Sequence, residues 1–66
     1  MNIILNGENT EVSDGTTVLS LLEEKNTDPR TVIAEVDGDI CKPEDFENVS
    51  LKEGSVVEVL RFVGGG

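Results

Sequence analysis

Apolar positions along this chain recur first every second residue, then at helical spacing, then every second residue again, and these switches mark its elements. Met1, Ile3 and Leu5 fall on one side of an alternating opening segment that runs to Asn6, which predicts a strand. Asn6-Gly7 follows, a pair that tolerates positive φ and so predicts a hairpin. The return strand spans roughly residues 9 to 13 with Thr10 and Val12 inward, until Asp14-Gly15 breaks it. Val18, Leu21, Leu22 and Lys25 then fall at helical spacing, while Ser20, Glu23 and Glu24 face water. That predicts one amphipathic helix of about ten residues, capped by Thr16 or Thr17. Asn26-Thr27-Asp28-Pro29 ends it, because a proline disfavours helix in the residue before it.

From Thr31 to Val36 β-branched residues predict a third strand, and Asp37-Gly38 turns the chain into a short fourth, Ile40-Cys41. Pro43 to Val49 fits a single helical turn, with Phe46 and Val49 pinned to the core, and Lys52 to Ser55 is a further turn. The last strand, Val56 to Val63, is apolar on both faces: Val57, Val59 and Val63 share one with Arg61, and Val56, Leu60 and Phe62 share the other with Glu58. One helix and one helical turn cover only one face of a sheet, so part of Val56, Leu60 and Phe62 is expected to stay exposed as a protein contact. The order strand, strand, helix, strand, short strand, helical turn, strand is that of an α+β, ubiquitin-like β-grasp. It predicts a mixed sheet of four to five strands packed on one main helix, with first and last strands adjacent and parallel at its centre. Residues 1–63 form that domain and residues 64–66 a flexible glycine tail.

Sixty-six residues hold one domain with a modest margin of stability. Cys41 is the only cysteine and there is no histidine, so neither disulfide nor zinc site supports the fold, and packing must. The lone thiol, the lack of a basic apolar leader and the lack of a spanning segment point to a cytoplasmic protein. Fourteen acidic residues against five basic ones give a net charge of -9. That charge repels phosphate backbones and anionic membranes, which argues against nucleic-acid and membrane partners.

Catalytic equipment is sparse. There is no histidine or tyrosine, and no metal-ligand cluster; Asp37-Gly38-Asp39 lacks calcium-loop spacing and reads as a hairpin turn. Cys41 has only Lys42 beside it to lower its pKa and reads as a small strand residue. Gly64-Gly65-Gly66 is no phosphate loop, since no helix follows it. The one unusual group left is the carboxylate of Gly66. It is ionised at neutral pH and a poor electrophile until a partner joins it to AMP. An end that enters a narrow active site must lack side chains and bend freely, which glycine does. Three extended residues reach roughly 10 Å.

Residues matching a known family run from end to end: NIILNGE, DGTTVLSLLEE, VIAEVDGDI, LKEGSVVEV and the terminal RFVGGG. The chain resembles the ThiS family of small sulfur carriers of thiamin biosynthesis, within the MoaD/ThiS superfamily. This resemblance implies a carrier rather than an enzyme, with no cofactor bound. Gly66 would be adenylylated by a ThiF-type adenylyltransferase that consumes ATP, then converted to a thiocarboxylate with sulfur from a cysteine-persulfide donor. A ThiG-type thiazole synthase would take that sulfur. Gly65 and Gly66 correspond to the reactive tail, and Val56, Leu60, Phe62, Val63 and Gly64 to the surface that meets partners, the free protein being monomeric. The chain departs from the family at Cys41-Lys42-Pro43, where a proline usually precedes a basic residue, at Phe46 as the following aromatic, and at Ser55, where aspartate is common. The same tail on the same fold also suits the small subunit of molybdopterin synthase, although those chains run longer, or a ubiquitin-like modifier of lysines.

Overall fold

The computed structural model describes residues 1–61, and within them five strands form one mixed sheet: β1 (Asn2–Leu5), β2 (Glu8–Glu11), β3 (Val32–Val36), β4 (Asp39–Cys41) and β5 (Val56–Arg61). Their order across the sheet is β2-β1-β5-β3-β4. β5 is central, parallel to β1 and antiparallel to β3, as the sequence predicts. The single α-helix among the described residues, α1 (Val18–Glu24), covers one face. Two 3-10 turns, Pro29–Thr31 and Pro43–Asp45, complete the frame.

Both hairpins turn where asparagine or aspartate precedes glycine. Asn6 and Gly7 have φ of 49° and 83°, and Asp37 and Gly38 have 52° and 90°. Positive φ at both central positions is the geometry whose twist matches that of paired strands. Each polar tip also reaches β5: Asn6 Oδ1 accepts from Val59 N at 2.8 Å, and Asp37 Oδ1 accepts from Val56 N at 2.8 Å.

Ile3, Val18, Leu21, Leu22, Val32, Ala34, Cys41, Phe46, Leu51 and Val57 fill the core between α1 and the sheet, with Val12 at its rim and Met1, Leu5 and Val59 packed against it. Phe46 is the bulkiest fully buried side chain. The Pro43–Asp45 turn delivers it, and its carbonyl accepts from Leu19 N at 2.9 Å, which ties that turn to the helix.

Several boundaries differ from those read in the sequence. Of the two threonines that the sequence offered as the cap of α1, Thr17 is the one used: its Oγ1 accepts from Ser20 N at 3.1 Å, and Ser20 Oγ accepts from Thr17 N at 2.9 Å. Ser20 is therefore half-buried in this reciprocal cap rather than simply facing water. The helix is seven residues long because Asn26, at φ 56°, turns left-handed well before Pro29. Lys25 is the C-cap and is exposed, so it leaves the buried row of α1. Thr31 belongs to a 3-10 turn begun by Asp28, whose carboxylate accepts from Arg30 N, so β3 starts one residue later. Ser55 is buried and its Oγ accepts from Lys52 N at 2.9 Å, closing the turn before β5.

Candidate functional site

Strand β5 outruns the parallel strand beside it. Its pairing with β1 ends at Leu5 opposite Val57, because β1 turns away at Asn6. β5 runs on to Arg61, and only β3 accompanies it there, with Val32 opposite Arg61. Asn6 N donates to Val57 O at 2.9 Å, and the Asn6 side chain substitutes for the next rung at Val59. Past that point no strand among the described residues lies on the β1 side of β5. Beyond the reach of β1 the described part of the central strand thus runs on as a ledge to Arg61, and in sequence Phe62 and Val63 separate it from the three glycines. Phe62, Val63, Gly64, Gly65 and Gly66 lie outside the described residues.

The two faces of β5 meet different surroundings. Val57 is 0% exposed under α1, while its neighbour Val56 is 46% exposed and Leu60 58%. The expectation that this outer row would stay uncovered holds for both residues. Reading the sequence alone missed that the row continues sideways. Ile33 sits opposite Leu60 and is 38% exposed, Ile4 sits opposite Val56, and Ile40 of β4 is 70% exposed. The signal was available in principle: antiparallel pairing of β3 with β5 places Ile33 on the face shared by Val56 and Leu60.

Other groups carry no evident chemistry. Cys41 is buried, and burial first, then the negative charge of Asp45, raise its thiol pKa above the ordinary value, which is the opposite of an activated nucleophile. It lines a shallow cleft of about 430 Å³ beside Asp39, Asp45 and Lys52, at the end of the sheet away from Arg61. Among the described residues no three His, Cys, Asp or Glu side chains are grouped to hold a metal ion. No helix among them is long and apolar enough to cross a membrane. Asp28 is paired with Arg30 at 2.9 Å, and hydrogen bonds from the Arg30 side chain and backbone lower its pKa; both are surface groups.

Residues 3–66 match the model of the ThiS family. The chain belongs to the ThiS family. Its fold superposes on the crystal structure of the thiamine biosynthesis protein ThiS from Geobacter metallireducens with a TM-score of 0.85, at 33% identity and with both chains fully covered. The solution structure of a thiamine biosynthesis protein from the same organism gives 0.81 at 32% identity, covering all of this chain and 88% of that one. These likenesses identify the fold as the ubiquitin-like β-grasp of ThiS proteins. A thiazole synthase from Paramagnetospirillum magneticum is 33% identical over all 66 residues, and the chain spans 20% of that protein's length.

Proposed function

We propose that this protein is a sulfur carrier for thiazole formation in thiamin biosynthesis, with the carboxylate of Gly66 as its working group. The observation that carries the reading is the ledge: the central strand of a ThiS-family sheet outruns its parallel neighbour and continues in sequence into three glycines. A charged side chain in such a tail would obstruct a narrow active site, and a β-branched one would stiffen it.

The chemistry proceeds in balanced steps. A carboxylate oxygen of Gly66 attacks the α-phosphorus of ATP on a ThiF-type enzyme, forming an acyl adenylate and releasing pyrophosphate. The terminal sulfur of a cysteine persulfide attacks the acyl carbon and AMP departs, leaving an acyl disulfide. A thiol then attacks the donor's sulfur, forms a new disulfide with it and frees the thiocarboxylate. Covalent activation of this kind divides one hard substitution into easier ones. The protein itself contributes the acyl group and a docking body, and the ATP belongs to its partner. A ThiG-type thiazole synthase is the acceptor in this reading, which the stretch similar to this chain within a thiazole synthase supports.

Intact-mass measurement tests it. Incubation with ATP, the adenylylating enzyme and a persulfide donor should raise the mass by roughly 16 Da, one oxygen exchanged for sulfur. Deleting Gly66 should abolish the gain while thermal stability stays unchanged. A full-length protein that acquires no mass under these conditions would refute the proposal. Retention of a thiazole synthase in co-purification, rather than a larger molybdopterin synthase subunit, should identify the acceptor.

A further inference from the structure

One exposed side chain stands where β1 stops supporting β5. The backbone of Asn6 donates to Val57 O at 2.9 Å, and its Oδ1 then accepts from Val59 N at 2.8 Å, in the place where a longer β1 would have offered a carbonyl. From there to Arg61 only β3 pairs with β5 among the described residues. A ribbon of two strands twists more than a wider sheet. The Asn6 side chain thus serves as a third strand at Val59 and keeps the start of the ledge in line with the rest of the sheet.

Asp37 makes the matching bond at the other end of the same strand. Asn6 has φ of 49° and Asp37 of 52°, and each Oδ1 accepts from a β5 amide at 2.8 Å, Val59 for one and Val56 for the other. Chemistry, length and exposure agree, and only the place differs: Val56 opens β5, whereas Val59 lies close to where the strand leads on toward the glycines. A bond exposed to water contributes modestly to global stability, so the value of the Asn6 bond lies in direction. Five residues follow Arg61. Fully extended, they reach at most about 17 Å, so a swing in heading of about 20°, the usual rotation between neighbouring strands, carries their end about 6 Å aside. Glycines can bend back from a wrong heading, but only by searching more conformations, which costs rate rather than affinity.

We propose that Asn6 is a positioning residue for the C-terminal carboxylate: its side-chain oxygen sets the heading of β5 at Val59, and with it how fast Gly66 reaches the α-phosphorus on the adenylylating enzyme. The inference rests on the sulfur-carrier reading.

Three variants test it. Asn6→Gly keeps the left-handed tip and removes the oxygen, Asn6→Asp returns an acceptor that Asp37 shows to suit this geometry, and Asp37→Gly removes the matching bond at the far end. Intact mass followed against carrier concentration gives kcat and KM for loading; thermal midpoints and amide exchange at Leu60, whose N–H faces β3, are recorded in parallel. Asn6→Gly should lower kcat about tenfold with KM unchanged and should speed exchange at Leu60. Asn6→Asp should restore both. Asp37→Gly should lower the melting midpoint as much as Asn6→Gly does, yet load at the wild-type rate. A wild-type kcat in Asn6→Gly would overturn the inference, as would a change confined to KM, or an Asn6→Asp or Asp37→Gly variant as slow as Asn6→Gly. Wild type and Asn6→Gly loading equally fast sinks only the positioning role, whereas wild type that gains no mass sinks the sulfur-carrier reading and this role with it.

Discussion

Adjacent residues of β5 live in different worlds: Val57 is sealed beneath α1, and Val56, one peptide away, faces solvent. The closed face carries Ile3, Val32, Ala34 and Val57 against Leu21, Leu22 and Phe46, whereas the open face carries Ile33, Ile40, Val56 and Leu60 around Glu35 and Glu58. The same β-branched and aliphatic residue types supply both. Composition therefore does not separate a core from an uncovered face; the parity of each position along the strand does, together with the presence of only one α-helix among the described residues to cover the sheet. In a domain this small the closed face bears nearly all the stability.

Mutations should divide along that line. The largest effect belongs to Phe46→Ala, expected to cost about 3–5 kcal/mol, because this side chain is fully buried and anchors the Pro43–Asp45 turn to α1. Chemical denaturation would measure it, and a loss below about 1 kcal/mol would erase the contrast between the faces. On the open face, Leu60→Ala should change stability by less than about 0.5 kcal/mol yet slow enzyme-dependent loading about tenfold, as followed by initial rates of mass gain. Thr17→Ala sharpens the comparison from the helix side, since losing the reciprocal cap should cost about 1 kcal/mol with loading by saturating enzyme unaffected. The smallest effect is a pH dependence. Burial raises the Cys41 thiol pKa in the folded state, so folded protein holds that proton longer than unfolded protein does. The associated stability is complete below the ordinary thiol pKa and is lost as pH rises through the folded one. A slight fall in the melting midpoint from about pH 8.5 upward, absent in Cys41→Ala, would show it.

Much of this was readable in advance, for identifiable reasons. Hairpin tips were plain because Asn6-Gly7 and Asp37-Gly38 each provide two positions tolerant of positive φ. The inward row Met1, Ile3, Leu5 and the central place of β5 followed from alternation. The length of α1 was overestimated because Lys25 continues the helical spacing, yet its spacing says nothing of the left-handed turn that Asn26 makes next. Ser20 looked like a surface residue because a serine at that spacing is polar, and its service to the cap depends on Thr17 three residues earlier. Ile33 and Ile40 escaped notice for a different reason: their meaning lies in register between strands, which no single segment displays.

The polar tips of the two hairpins grip one strand from opposite flanks, Asn6 on one side and Asp37 on the other. Were a partner to draw on the C-terminal end, as the proposed function implies, tension would pass into a strand that has to slide lengthwise past β1 and β3 together. Rungs on both flanks take that load in parallel rather than peeling open one after another. The strand that precedes the glycines in sequence is thus the one anchored from both sides.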